Sequence, residues 1–213
     1  MSSPENLLIL PLPELFRDDV FRIETRRLWL RWPTPGDAAR LHEIAASETA
    51  ARGAGAAPHP LLAGDALERI ASARAANAAG SGLVLALSSK ARPGELIGLV
   101  SLEVTRNGAL TACFVLDVGN QGHGLMSEAM HGLAHAVFTF GPHRAICGPP
   151  GLTNHAARRV LEKSGFRAPT RDVATTTAPR LQLTRAAWLG QPSLRIAADT
   201  GELFDDTPCA CAA

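Results

Sequence analysis

The sequence predicts a mixed α/β (α+β) domain with a mostly antiparallel central sheet flanked by helices. Three apolar runs, residues 83–87, 96–104 and 110–116, follow one another with only turn signals between them, which is typical of antiparallel strands. Helix-like and strand-like stretches then alternate as far as residue 183. A chain of 213 residues, 46% of them hydrophobic, is long enough to bury one such core.

One strand and two helices are predicted before these runs. Alternate leucines place one apolar face on a strand over residues 27–32. Residues 34–37, Thr-Pro-Gly-Asp, supply a cap residue, an early proline and a first-turn acid, and predict a helix that runs to about Ser47. A second helix is predicted over residues 65–80, with Leu67 in its apolar stripe.

Three connecting segments carry loop or turn signals. Residues 49–63 are rich in Ala, Gly and Pro and are predicted to form a loop. Residues 92–94, Arg-Pro-Gly, and residues 106–108, Arg-Asn-Gly, separate the apolar runs and predict turns. The Asn-Gly pair is the stronger hairpin signal.

The second half alternates between helix and strand. Apolar residues recur at helical spacing over residues 126–140, and the Gly-Pro pair at 141–142 ends that helix. Residues 144–147 are predicted to form a short buried strand. A further helix is predicted to begin after the cap residue Asn154 and to end at Gly165. A last strand is predicted at residues 180–183.

These patterns divide the chain into an N-terminal arm, residues 1–20, a domain, residues 21–188, and a C-terminal tail, residues 189–213.

The net charge of +1 gives no overall attraction to nucleic acid or to a membrane surface. No apolar run approaches the ~20 residues that span a bilayer. The first residues do not resemble a signal peptide, because prolines interrupt their apolar stretch, so a cytoplasmic location is expected.

The four cysteines form no recognised metal or redox pattern. Cys113 and Cys147 stand inside apolar runs and are predicted to be small core residues. Cys209 and Cys211 lie in the tail, where a disordered segment is favoured over a metal or disulfide role. No metal site is predicted.

A glycine-rich turn joins the third apolar run to the helix over residues 126–140. Gly122 and Gly124 leave room where backbone N–H groups would crowd around an anion. The first N–H groups of a helix have no partner within it, and the helix dipole favours a negative charge there. The turn therefore predicts a diphosphate-binding loop; the alternative is a plain turn.

Two common nucleotide-binding loops do not fit this turn. A P-loop needs Lys and then Ser or Thr after its second glycine, whereas Leu125 and Met126 follow Gly124. A dinucleotide fingerprint needs a third glycine where Ser127 stands.

The turn resembles the cosubstrate-binding motif of the GNAT superfamily of N-acetyltransferases. Residues 121–126, Gln-Gly-His-Gly-Leu-Met, are similar to its Q/R-x-x-G-x-G/A pattern, with Met126 in place of the last Gly or Ala. Residues 124–129, Gly-Leu-Met-Ser-Glu-Ala, resemble the branch that contains the ribosomal-protein N-terminal (Rim-type) acetyltransferases.

Two further blocks resemble the same branch. Residues 154–166 are similar to its N-x-x-S-x-x-x-x-E-K-x-G-F pattern, with Ala157 in place of the Ser. Residues 24–28 and 34–38 are similar to its opening. The three blocks occur in the right order, and together the resemblance covers roughly residues 21–188.

The resemblance implies a GNAT-like fold and acetyl-CoA as cosubstrate, with no metal. The central sheet would be splayed, and the pantetheine arm would lie between residues 114–118 and 144–147. A small-molecule or peptide amine would be the acceptor, with neither nucleic acid nor membrane as a partner, and a homodimer is compatible because the superfamily often forms one. The residues implied to bind the cosubstrate are Leu116, Asp117, Val118, Gln121, Gly122, His123, Gly124, Leu125, Met126, Ser127, Asn154, Ala157, Arg159 and Lys163.

The catalytic residues follow the family less closely. The resemblance implies that an N–H within residues 116–118 supports the thioester carbonyl, and that Asn154 binds near the acetyl group as well as capping a helix. The chain has no Tyr, and Ala157 and Thr111 stand where the branch has a Ser and often a Glu, so the usual side-chain acids are missing. Glu103, on the second apolar run, is the candidate base; the alternatives are an exposed carboxylate without a role and a chain of waters.

Acetyl transfer to a primary amine is therefore the predicted function. A weak base favours α-amines, whose pKa is ~7.8, over lysine side chains at ~10.4. Two other readings stay open: a degenerate GNAT protein that binds CoA without turnover, and an unrelated nucleotide-binding protein. The acceptor itself is not specified by the sequence, because this fold serves many acceptors.

Overall fold

The computed structural model describes residues 22–52, 62, 64–104, 110–149, 152–169 and 180–190. The strands are β1 (Arg22–Glu24), β2 (Leu28–Arg31), β3 (Gly82–Ser89), β4 (Arg92–Val104), β5 (Leu110–Leu116), β6 (Ala145–Cys147) and β7 (Gln182–Thr184). The helices are α1 (Ala38–Arg52), α2 (Ala66–Ala79), α3 (Leu125–Phe140), α4 (His155–Lys163) and α5 (Arg185–Leu189). Within this part of the chain no helix is long and apolar enough to cross a membrane.

All seven strands join one sheet in the order of the sequence. Each neighbouring pair is antiparallel except β5 and β6, which run parallel. A parallel connection needs a crossover, and α3 supplies it. The predicted class, a mixed and mostly antiparallel sheet flanked by helices, is confirmed.

The parallel pair is short. Two residue pairs join the strands, Leu110 with Ile146 and Thr111 with Cys147. Beyond them the N–H of Gly148 donates to the carbonyl of Leu181, on the far side of β6, at 2.8 Å. β5 continues to Leu116 without a ladder partner on this side, so the sheet splits after Thr111.

Helices cover both faces of the sheet. One face packs against α3, whose Met126, Met130, Leu133 and Val137 are buried at the spacing of one helical stripe. The other face packs against α1 and α2 through a smaller apolar cluster that includes Ile44. The two clusters position the end of β5 between α1 and α3.

Caps define the helix ends largely as the sequence predicts. Asp65 accepts hydrogen bonds from two first-turn N–H groups of α2, and Gly80 ends that helix in the left-handed conformation. Asn154 caps α4 in the same way. A 3-10 turn at Pro35–Asp37 precedes α1, and the helix continues to Arg52, five residues beyond the predicted end and into the predicted loop.

The turn predicted at residues 92–94 is wrong. These residues belong to β4, and the chain reverses at Lys90 and Ala91 instead. Successive pairs of the ladder are Ser89 with Arg92 and Ser88 with Leu96, so Pro93 and Gly94 lie in an irregular stretch of β4. A bulge tolerates both residues, because there the ladder needs no N–H from proline. The turn predicted at residues 106–108 lies outside the described residues.

Several smaller predictions also need correction. Leu67 is 56% exposed and does not belong to the buried stripe of α2. Cys113 packs against the smaller apolar cluster, as predicted, but both Cys113 and Cys147 are only partly buried. β1 and α5 were not predicted. The tail cysteines lie outside the described residues.

Gly132 lets α3 approach the start of the domain closely. A Cβ at this position would lie 2.9 Å from Cγ2 of Thr25 and 3.2 Å from Cγ2 of Ile23. We expect Gly132→Ala to lower the free energy of unfolding by about 1–3 kcal/mol, because overpacking outweighs the better helix propensity of alanine. Denaturant unfolding measures this. Gly94→Ala, where an added Cβ meets no atom within 4 Å, is the control, and equal losses in the two variants would contradict the packing argument.

Candidate active site

A loop with two left-handed glycines leads from β5 into α3. Gly122 has φ 82° and Gly124 has φ 73°, a region that costs other residues about 1–2 kcal/mol. The four residues from Gln121 to Gly124 are all exposed, His123 among them. The loop is thus an open surface of backbone held in a conformation that glycine makes accessible.

Polar side chains fix the loop where it leaves the sheet. The carboxylate of Asp117 accepts from Nη2 of Arg40 at 2.9 Å and from Nδ2 of Asn120 at 3.0 Å. The Nε2 group of Gln121 donates to the carbonyl of Leu116 at 2.9 Å. Arg40 therefore neutralises the one acid at the loop's beginning, and the loop keeps its shape through contacts within the protein.

The N-terminus of α3 points into this loop without a side-chain cap. Gly124 occupies the cap position and has no side chain that could bond the first-turn N–H groups. The first intrahelical bond runs from the N–H of Glu128 to the carbonyl of Gly124. The N–H groups of Leu125, Met126 and Ser127 thus have no acceptor within the helix, which is the arrangement that binds phosphate groups.

A buried carboxylate lies one turn into the same helix. Glu128 is 1% exposed. Its Oε1 accepts from the hydroxyl of Thr25 at 2.6 Å and from the N–H of Arg27 at 2.7 Å. Its Oε2 accepts from Nε of Arg27 at 2.7 Å. These bonds tie the segment before β2 to the beginning of α3.

The gap between β5 and β6 has a backbone amide facing it. The N–H of Asp117 donates to the carbonyl of Ile97 on β4 at 2.8 Å. Successive residues of a strand face alternate neighbours, so the N–H and carbonyl of Leu116 face away from β4 and towards the gap. Of the amides proposed to support a thioester, that of Asp117 is already bonded, and that of Leu116 has the required direction.

Charged and polar side chains gather on one face of the sheet at this gap. Glu103 pairs with Thr111 in the β4–β5 ladder, and Thr111 pairs with Cys147 across the last rung of β5 and β6. Paired residues project to the same face, which is the face covered by α1 and α2. Cys113 follows on this face. Burial raises the pKa of the Cys113 thiol, the charge of Glu103 raises it further and the charge of Arg180 lowers it, so the thiol stays protonated.

Arg180 spans the point where the strands part. Its Nη2 donates to Oγ1 of Thr111 at 2.8 Å and to the carbonyl of Gly148 at 3.0 Å. Its Nε donates to the same carbonyl at 3.1 Å. Sequence reasoning missed Arg180, because its partners are 69 and 32 residues away and no spacing rule connects them.

Glu103 lines a cavity of about 450 Å³ between α2 and the sheet. Its side chain is exposed near the end of β4. Val84 and Leu99 form apolar parts of the wall, and Glu68 and Arg69 line it from α2. The cavity is large enough for an organic group. Glu103 places a carboxylate at its edge, on the strand next to β5.

The residues in and before α4 that were predicted to bind the cosubstrate lie mostly on the exposed side of this helix. Oδ1 of Asn154 accepts from the N–H groups of Ala156 and Ala157, at 2.9 and 3.1 Å, so this oxygen serves as the helix cap. Ala157 is partly buried. Arg159 and Lys163 are exposed and line a hollow of about 490 Å³ together with two other arginines of this region.

Comparison with known proteins identifies the family. The family model described as Acetyltransferase (GNAT) domain matches residues 27–167, which is most of the chain. A search of curated proteins found no match.

Solved structures share the fold at low sequence identity. A putative ribosomal-protein-serine acetyltransferase from Vibrio cholerae is 18% identical with a TM-score of 0.60, over 77% of this chain and 97% of that one. RimL, a ribosomal L7/L12 alpha-N-protein acetyltransferase solved with coenzyme A, is 17% identical with a TM-score of 0.58, over 76% and 94%. Mycobacterium smegmatis RimJ, in complex with CoA-disulfide, is 18% identical with a TM-score of 0.57, over 76% and 88%. The family match, the seven-stranded sheet that opens beside β5 and the uncapped helix after a glycine loop lead to one conclusion: this chain belongs to the GNAT acetyltransferase family and is an N-acetyltransferase.

Proposed function

We propose that the protein transfers the acetyl group of acetyl-CoA to a primary amine in the gap between β5 and β6. The observation that carries this proposal is the open, glycine-lined loop in front of the uncapped end of α3, next to a strand whose outer edge is unpaired. Backbone amides and two glycines fit a diphosphate, because no side chain occupies the space. An unpaired strand edge fits the amide-containing pantetheine arm.

Residues of this chain supply the remaining requirements of the reaction. When bound, acetyl-CoA supplies a thioester whose carbonyl carbon is attacked by the neutral amine as the carbon–sulfur bond breaks. The N–H of Leu116 donates to the carbonyl oxygen on which negative charge develops. Glu103 pairs with Thr111, five residues along β5 from Leu116, so it accepts the proton that the amine loses through a chain of waters.

The leaving thiolate needs no strong acid. Thiols have pKa values near ~8.5, so the sulfur is a tolerable leaving group. This agrees with a chain that has no Tyr and has Ala157 where the related branch has Ser.

We propose a peptide or protein α-amine as the acceptor class, with a small-molecule amine as the alternative. The names of the RimL and Vibrio cholerae structures refer to ribosomal-protein acetylation, which supports this class by analogy. Deprotonating a lysine side chain at pH 7 costs about 3.5 kcal/mol more than deprotonating an α-amine, from the ~2.6 unit difference in pKa. Carboxylates are much weaker bases than amines. We therefore expect a site that uses Glu103 as its base to favour the α-amine.

We expect peptides with a free N-terminus to be acetylated at least about 10-fold faster, as kcat/KM, than the same peptides with a blocked N-terminus and a free lysine. Thiol release from acetyl-CoA and mass spectrometry of the peptide measure the two rates. A preference for the lysine side chain would contradict the proposed acceptor class. Tight CoA binding without turnover on any amine would instead favour a CoA-binding module, the reading suggested by Ala157, Thr111 and the missing Tyr.

A further inference from the structure

A negative charge is buried directly behind the proposed diphosphate site. Glu128 stands four residues after Gly124, in the first turns of α3, and is 1% exposed. A carboxylate this close to a bound anion would oppose binding, because the Coulomb energy is large where little solvent screens it. The loop therefore needs a compensating positive charge in addition to its amides.

Arg27 is positioned to provide that charge. Its Nε donates to Oε2 of Glu128 at 2.7 Å, and its backbone N–H donates to Oε1 at 2.7 Å. A Cβ built on Gly124 would lie 3.7 Å from Nη2 of Arg27, so the far edge of the guanidinium borders the loop. The side chain is 37% exposed, and Nη1 and Nη2 have no acceptor among the residues that the structure describes.

We infer that Arg27 donates hydrogen bonds from its terminal nitrogens to the diphosphate of the cosubstrate. One edge of the guanidinium is held by Glu128, and the opposite edge presents N–H donors beside Gly124. A guanidinium fixed in this way offers a phosphate two donors at little entropic cost. The inference rests on the proposed function, since it assigns a residue to that same site.

The test compares two acetyl donors that differ in the diphosphate. Acetyl-CoA carries it and acetyl-pantetheine does not. We expect Arg27→Gln to lower kcat/KM for acetyl-CoA by about 10- to 100-fold, as for the loss of a hydrogen bond between charged groups, through a higher KM. With acetyl-pantetheine, kcat/KM stays within about 2-fold of the wild type, because its turnover does not involve the lost contact. Arg27→Lys recovers part of the loss because it keeps the charge but not the two-donor edge.

A second variant separates phosphate contact from mere neutralisation of Glu128. In Arg27→Gln/Glu128→Gln the buried charge is removed, and thermal unfolding reports whether the fold is retained. If Arg27 acts only by neutralising Glu128, the double variant regains wild-type use of acetyl-CoA, which would overturn the inference. If Arg27 contacts the diphosphate, the double variant keeps the loss. The double variant also carries the test if Arg27→Gln alone fails to fold.

Arg22→Gln is the matched control. Arg22 lies on β1 with its guanidinium 4.4 Å from the ring centre of Trp29, and is not part of the loop or its supports. We expect both donors to be used as in the wild type. Equal losses with the two donors in Arg27→Gln, or no loss with either, overturn the inference while the enzyme assignment stands; a wild type that turns over neither donor overturns the proposed function itself.

Discussion

Glu103→Gln is expected to lower kcat by about 10²- to 10⁴-fold, the usual range for removal of a general base. The amide keeps the size and polarity of the side chain but cannot accept the proton of the attacking amine. The KM for acetyl-CoA should stay within about 2-fold, because Glu103 pairs with Thr111, near the end of β5 opposite to the loop that is proposed to bind the diphosphate. Steady-state kinetics with a saturating peptide acceptor measure both constants.

Glu95→Gln is the control for this substitution. Glu95 lies on the same strand, near the exposed beginning of β4, and pairs with Arg92 at 2.7 Å. Its kcat should equal that of the wild type. If Glu103→Gln also retained the wild-type kcat, the proton would have to leave through water alone, and Glu103 would be an exposed carboxylate without a catalytic role.

Gly124→Asp is expected to raise the dissociation constant of CoA by about 100-fold or more, equivalent to ~2.7 kcal/mol. The variant places a carboxylate where the phosphate groups are proposed to lie, and it forces a non-glycine residue to φ 73°. Isothermal titration with CoA measures the affinity directly.

Gly64→Asp is the control, because it introduces similar backbone strain away from the proposed diphosphate site. Gly64 has φ 84°, an added Cβ would meet no atom within 4 Å, and the residue precedes α2. We expect a loss of stability of about 1–2 kcal/mol in both variants, but wild-type CoA affinity in Gly64→Asp. Comparable losses of affinity in both would mean that strain, and not repulsion of the diphosphate, explains the effect.

Much of the fold was predictable because its elements carry local signals. The cap at Asp65, the left-handed Gly80 and the apolar stripe of α3 all lie within single helices. β1 carried no such signal, since its three residues, Arg-Ile-Glu, have only one apolar side chain. Pro93 and Gly94 carried a misleading signal, because a bulge and a turn favour the same residues.

The glycine turn was predictable from local signals, whereas the side-chain contacts around it were not. Gly122 and Gly124 adopt the left-handed conformation that glycine favours, which is a local property of the turn. Arg27 and Arg180 meet partners 101 and 69 residues away, and these pairs come together only when α3 packs on the sheet and the strands pair. A periodicity fixes which face a residue occupies but not which distant residue it contacts.

The short parallel ladder between β5 and β6 is held by few backbone hydrogen bonds. Two residue pairs join strands β1–β5 to the pair β6–β7. Where the strands part, the guanidinium of Arg180 donates to Thr111 on one side and to Gly148 on the other. Two backbone rungs and one arginine side chain therefore hold the two parts of the sheet together at this point, in place of a continuous run of backbone bonds.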